Sequence, residues 1–106
     1  LLGRAGDDGQ EVALAGGGGA AGTAVVADRG WGTSVSLEVR GLRPGRTYGA
    51  WLADERGDRT SAGTFRATAD GTARLDLAAS LRLGRARVVG VTLLGGPDVL
   101  RAVVAS

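Results

Sequence analysis

Histidine, cysteine, methionine and lysine are all absent from this chain of 106 residues. A serine or threonine nucleophile usually depends on a nearby base, and the two commonest bases, histidine and lysine, are missing here. We therefore expect no catalytic residues and no enzymatic activity. The lack of cysteine excludes disulfides and leaves the cellular compartment open. Because there is no methionine to start translation, we also expect an upstream segment before Leu1.

Long apolar runs are absent as well. No stretch approaches the roughly 20 apolar residues that cross a bilayer, and no basic-then-apolar signal peptide is present. Any membrane anchor is therefore expected outside this chain. Isoleucine and asparagine are also missing while alanine, glycine and arginine abound, a bias typical of a high-GC bacterium.

The charge pattern argues against nucleic acid as a partner. All thirteen basic residues are arginines, eleven acidic residues oppose them, and the net charge is only +2. The arginines are scattered among acids, as in the segment 54–59, and do not form the basic stripe that tracks a phosphate backbone.

Alternation of apolar and polar residues is the main structural signal. It is clearest where Val35, Leu37 and Val39 alternate with polar residues, which predicts a strand with one dry and one wet face. Further strands are predicted around 12–14, 23–27, 48–52, 61–67, 73–77, 89–93 and 100–104. Seven or eight short strands at roughly 8- to 12-residue spacing predict an all-β fold, a small antiparallel β-sandwich of immunoglobulin- or fibronectin-like architecture.

Turn chemistry separates several of these strands. Pro44 followed by Gly45 predicts a type II turn, because proline presets φ at the first central position and glycine accepts the positive φ of the next. Asp70 and Gly71 predict a second tight turn, and the charged segment 54–59 predicts a hairpin tip.

Three segments complete the predicted organisation. Residues 1–10 carry no periodicity and are expected to be a linker or disordered N-terminus, followed by a single β-sandwich domain over 11–106. Gly16 to Gly19 are predicted to be a flexible connection, since a phosphate-binding loop needs a following helix and usually a lysine. The segment 79–85 is compatible with a strand end, a 3₁₀ turn or one helical turn.

Two pairs of acidic residues are the remaining candidates for chemistry. Asp70 with Asp76, or Asp54 with Asp58, could flank a scissile bond, but each lies in a predicted turn or on a polar strand face, where a solvated charge is expected. The segment 54–58 also lacks the alternating oxygen ligands of a calcium loop. We expect no metal and no cofactor.

A possible interaction surface comprises Trp31, Trp51, Arg82, Arg85 and Arg87. The strand alternation sends Trp51 away from the apolar face, so it is either an exposed contact or is covered by loops or the N-terminal strand. Trp31, beside two glycines, fits either rim packing or recognition. The three arginines could contact an anionic partner or lipid headgroups, or could simply be solvated.

Two family resemblances meet near Tyr48. Residues 41–48, Gly-Leu-Arg-Pro-Gly-Arg-Thr-Tyr, resemble the tyrosine-corner segment of fibronectin type III domains, in which the tyrosine hydroxyl bonds to the backbone of the preceding loop. In those domains only about two strands follow, whereas some four are predicted here, so the strand order differs.

A longer resemblance runs from about Val12 to the end of the chain. The segments 39–52, 61–65, 70–71 and 91–97, in this order and spacing, resemble the C-terminal domain of the anti-sigma-K factor family, of the RskA type. The resemblance implies an extracytoplasmic regulatory domain, held at the cell membrane by an absent transmembrane helix. It also implies a sigma factor bound through an absent N-terminal domain, and membrane proteases that control the protein by regulated cleavage. A fibronectin-like extracellular binding or adhesion module is the alternative.

Overall fold

Eight antiparallel strands and one short 3₁₀ helix make up the computed structural model, which describes residues 9–104. The strands are β1 (Gly9–Ala15), β2 (Ala21–Arg29), β3 (Gly32–Arg40), β4 (Thr47–Ala53), β5 (Arg59–Arg66), β6 (Ala73–Ala79), β7 (Val88–Leu93) and β8 (Asp98–Val103). The predicted all-β fold class is confirmed. Gly9 and Gln10, placed in the linker by the sequence, belong to β1, and residues 1–8 of that linker lie outside the described residues.

The strands follow one another in a single sheet in the order β5-β4-β7-β8-β1-β2-β3-β6. The sheet folds into layer I (β5, β4, β7 and β8) and layer II (β1, β2, β3 and β6). β8 and β1 join the layers through the single pair of Ala15 with Arg101. At the other side the edge strands β5 and β6 lie against each other, without a backbone ladder among the described residues. The result is a nearly closed sandwich.

The core lies between the layers, where the predicted alternation places its apolar residues. Six side chains of β3 and β4 are at most 2% exposed. They are Val35, Leu37, Val39, Tyr48, Ala50 and Leu52. Burying one such large side chain stabilises the fold by about 1.5–3 kcal/mol. Leu75 and Leu77 on β6 are half-buried, because an edge strand has a neighbour on one side only.

Connections alternate between two ends of the sandwich because neighbouring strands run in opposite directions. The lower end carries the start of β1, the β2–β3 and β4–β5 turns and the segment 80–87. The upper end carries the other four connections. At the upper end Gly45 adopts the predicted positive φ, and Gly71 in the second predicted turn does the same, with φ of 76° at both. The Arg43 N–H donates to the Tyr48 hydroxyl at 2.8 Å, the bond that a tyrosine corner makes.

The segment 79–85 takes one of the three forms that the sequence allowed. β6 ends at Ala79, and a 3₁₀ helix follows at Leu83–Arg85. The Thr33 hydroxyl donates to the Leu81 carbonyl at 2.7 Å, so the buried polar group of β3 fixes this connection at the lower end.

Candidate functional site

Trp51 lies on the outer face of layer I and is nevertheless only 6% exposed. Its neighbours along β4 point inward, as the alternation predicted. Directly across on β7 stands Gly90, where a β-carbon would lie 2.1 Å from Cζ2 of the indole. The missing side chain of Gly90 therefore lets the ring lie against the sheet.

Arg59 covers the other side of the indole. Its guanidinium carbon is 3.8 Å from the ring centroid, within cation–π range, and that of Arg101 is 5.9 Å away. The cover is thus a charged side chain from β5 and a glycine of β7, and neither a loop nor the N-terminal strand is in this stack.

Hydrogen bonds and the cation–π contact join the tryptophan and three other side chains into a ring. The Trp51 Nε1–H donates to Oγ1 of Thr92 at 2.8 Å, and that hydroxyl donates to Oδ1 of Asp98 at 2.6 Å. Asp98 accepts two further bonds from the Arg59 guanidinium, at 3.0 and 2.7 Å. This Trp51 cluster (Trp51, Arg59, Thr92 and Asp98) ties together all four strands of layer I.

Hydrogen bonds within the Trp51 cluster change the pKa of its acidic residue, Asp98. Hydrogen bonds from Arg59, and next from Thr92, hold the pKa of Asp98 below its ordinary 3.8. The same hydrogen bond with Asp98 raises the pKa of Arg59. A lowered carboxyl pKa contributes stability above the ordinary pKa, and that contribution is lost as the pH falls through the lowered value.

Sequence reasoning singled out Trp51 but missed its three partners. Arg59 and Asp98 are 39 residues apart and lie on strands that are not adjacent in the chain. The one local signal is Gly90 within a run of valines, since glycine inside a strand often marks the close approach of another group.

Trp31 has the opposite environment. It lies in the β2–β3 turn at the lower end, between Gly30 and Gly32, and is 56% exposed. The indole is therefore accessible from solvent at this turn.

The three predicted arginines also lie at the lower end, but they do not form one patch. Arg82 forms two hydrogen bonds with the carboxylate of Asp28, at 3.3 and 3.1 Å. This pairing lowers the pKa of Asp28 and raises that of Arg82. Arg85 and Arg87 face the acids of the β4–β5 turn instead.

The acidic pairs considered for catalysis serve as turn and surface residues. Oδ1 of Asp54 accepts the N–H groups of Arg56 at 2.9 Å and Asp58 at 3.0 Å, which shapes the β4–β5 turn. Asp70 lies at the opposite end of the sandwich, and Asp76 is exposed on β6. Among residues 9–104 no three acidic residues come together where they could hold a metal ion.

The glycine run that follows β1 has a packing role at its first residue. A β-carbon at Gly16 would overlap the carbonyl of Val99, so glycine permits the loop to cross β8 closely. Gly18 and Gly19 adopt positive φ, and β2 follows at Ala21, so a strand stands where a phosphate loop would need a helix.

These features define an eight-stranded β-sandwich domain whose aromatic and charged clusters stabilise turns and strand packing. The sequence matches the family described as anti-sigma-K factor rskA, C-terminal, over residues 3–93. The chain belongs to this family, which confirms the resemblance drawn from the sequence. Membership supports a regulatory anti-sigma role with a sigma factor as the partner class, in a membrane-associated and generally non-catalytic family. Within residues 9–104 no helix is long and apolar enough to cross a membrane.

A solved structure shares the architecture. The Cu/Zn superoxide dismutase from Brucella abortus aligns with a TM-score of 0.68 and 16% identity, over 92% of this chain and 100% of that one. Copper and zinc sites usually include histidine or cysteine ligands beside carboxylates, and this chain has neither histidine nor cysteine. The likeness therefore concerns the fold alone. No curated protein matches the chain.

Proposed function

We propose that this domain is the extracytoplasmic regulatory part of a membrane-anchored anti-sigma factor that controls transcription through regulated proteolysis. The family match over residues 3–93 carries the proposal. In it, a preceding N-terminal domain binds the sigma factor, a transmembrane helix joins the two parts, and membrane proteases cut the protein when a signal arrives. The domain itself acts without chemistry.

The sandwich supports a role as a folded restraint. A protease needs an extended segment of chain, and here the two edge strands β5 and β6 lie against each other. Cleavage within the domain then depends on opening of the fold. Each loss of about 1.4 kcal/mol in the free energy of unfolding raises the open population tenfold.

A core substitution in the full-length protein tests this role in cells. Leu37 is 2% exposed, and Leu37→Ala should cost about 2–5 kcal/mol, which raises the open population by about thirtyfold or more. We expect faster cleavage of the anti-sigma factor and higher output from a reporter gene of its sigma factor. The matched control is Leu94→Ala, because Leu94 is 60% exposed and loses the same atoms without opening a cavity. Equal cleavage of wild type and Leu37→Ala, with the variant shown to be destabilised, would refute the restraint.

A binding module that contacts a partner through Trp31 is the second candidate. The exposed indole at the β2–β3 turn and the tyrosine-corner bond of Tyr48 favour it. The sequence upstream of Leu1 separates the two candidates. An apolar span of about 20 residues supports the membrane-anchored regulator, and tandem β modules support the binding module.

A further inference from the structure

We propose that the lower end of the sandwich contains a binding site for a phosphate group. A bowl of about 280 Å³ opens there between the β4–β5 turn and the residues around the 3₁₀ helix. All five lining residues are charged: Asp54, Glu55, Arg56, Arg85 and Arg87. Three cations against two acids give the bowl a net charge of +1, and its lining includes no apolar residue.

The arginines of the bowl are held near acids without being engaged by them. Nη2 of Arg85 is 3.9 Å from the Asp54 carboxylate, and Nη2 of Arg87 is 3.6 Å from that of Glu55. Charge-assisted hydrogen bonds are about 2.7–2.9 Å long, so neither contact is one. Arg56 has no ion pair within residues 9–104. Each guanidinium carries five N–H donors, and most of them remain available to a ligand.

Arg87 is already oriented for a ligand in the bowl. Its Nη1 donates to the carbonyls of Gly84 at 2.9 Å and Ala86 at 3.1 Å, which fixes the plane of the guanidinium. Its Nη2 is the atom closest to Glu55. A cation that is fixed before binding loses little conformational entropy when the ligand arrives.

The two acids do not block an anion. Oδ1 of Asp54 already accepts two backbone N–H groups of its own turn, and the side chain is only 11% exposed. The side chain of Glu55 is 77% exposed, so it can turn into water and leave the space beside Nη2 of Arg87 to a ligand. The planar guanidinium groups that line the bowl can then bind the oxygens of a phosphate, an anion that arginine recognises through paired hydrogen bonds. Arg82 is outside this site because Asp28 already binds it in a bidentate pair.

A phospholipid headgroup and a soluble phosphate compound present the same chemistry. The site does not depend on the proposed regulatory function, because a phosphate group can bind whichever role the domain has. Two probes distinguish the sources. Inorganic phosphate is titrated into the domain while the Nε–H signals of Arg85 and Arg87 are followed by NMR. Sedimentation is measured with vesicles of phosphatidylcholine alone and with added phosphatidylglycerol.

Four variants test the site in both assays. We expect Arg85→Gln and Arg87→Gln each to weaken binding by about tenfold, since hydrogen bonds to charged groups are lost. Glu55→Gln should strengthen binding severalfold, because it removes the competing carboxylate. Arg46→Gln, at the upper end, removes the same charge and should leave binding unchanged.

Each outcome decides the proposal. Saturable binding of inorganic phosphate with this variant pattern supports the site and a soluble source, and the same pattern on vesicles alone supports the site and a headgroup. No binding to either probe overturns it, as does an equal loss in Arg46→Gln. Arg85 is 70% exposed, so Arg85→Gln keeps the test valid if Arg87→Gln disturbs the fold.

Discussion

The two layers of the sandwich have similar inner faces and different outer faces. On layer II the outer positions carry simple cross-strand neighbours, such as Glu38 on β3 beside Arg74 on β6, with side chains 61% and 80% exposed. On layer I the outer face holds the Trp51 cluster, in which an indole is buried beneath an arginine. Adjacent positions on neighbouring strands suffice for the first arrangement. The second needs residues from four strands and a glycine at one position.

The largest expected effects come from the inner faces, where equivalent substitutions in the two layers should cost the same unfolding free energy. Leu37→Ala in layer II and Leu52→Ala in layer I remove equally buried side chains and should each cost about 2–5 kcal/mol of unfolding free energy. Urea unfolding followed by circular dichroism measures both. If the costs of the two variants differ by more than about 3 kcal/mol, the width of this range, the two layers do not share one core.

A glycine pair tests the outer face of layer I. Gly90→Ala places a β-carbon against the Trp51 indole and should cost about 1–3 kcal/mol by overpacking. Gly49→Ala is the matched control on β4, since its β-carbon would meet nothing closer than 3.9 Å. That control should be neutral, or stabilising by up to about 1 kcal/mol.

Fluorescence locates the effect of the Gly90 substitution. In a Trp31→Phe background Trp51 is the only tryptophan that emits, and Gly90→Ala should shift its emission to longer wavelength as the ring moves into water. An unshifted spectrum together with unchanged stability would contradict the proposed packing of the indole on Gly90.

Removal of one charge from each outer face should cost more stability on layer I than on layer II. Arg59→Gln should cost about 1 kcal/mol, because it removes both the cation over Trp51 and a partly exposed bidentate pair. Glu38→Gln on layer II should change stability by no more than about 0.5 kcal/mol, as expected for an exposed pair. Thermal unfolding of both variants measures the difference, and equal effects would remove the distinction between the faces.

The smallest expected effect is a pH dependence carried by Asp98. Its pKa is held below the ordinary 3.8 by Arg59 and Thr92. The ionised carboxylate therefore contributes its full stabilisation above pH 3.8, and this contribution is lost as the pH falls through the lowered pKa. The stability difference between wild type and Asp98→Asn should therefore narrow as the pH falls below about 4. A difference that stays constant down to the lowest accessible pH would show that this carboxylate is not the titrating group.

Much of the fold was predictable because its signal is local. The alternation at Val35, Leu37 and Val39 needs only the period of a strand, and the Pro44–Gly45 turn needs only two residues with fixed backbone preferences. The candidate surfaces were predictable only in part. Trp31 and Trp51 are both tryptophans on strands or turns near glycine, yet one is 56% and the other 6% exposed.

The sequence by itself determined the all-β class, the faces of the strands, the upper-end turns and the family. Tertiary structure alone decided which arginine covers Trp51, which acid binds Arg82, and that Arg56 joins Arg85 and Arg87 around one bowl. The physical reason is the distance along the chain over which each kind of interaction acts. Backbone preferences and strand periodicity act between neighbours in the chain, whereas these contacts depend on how different strands and turns are placed in space. Asp28 and Arg82 are 54 positions apart. Even Trp51 and Arg59, which lie on paired strands, meet only through the register and side-chain packing of layer I.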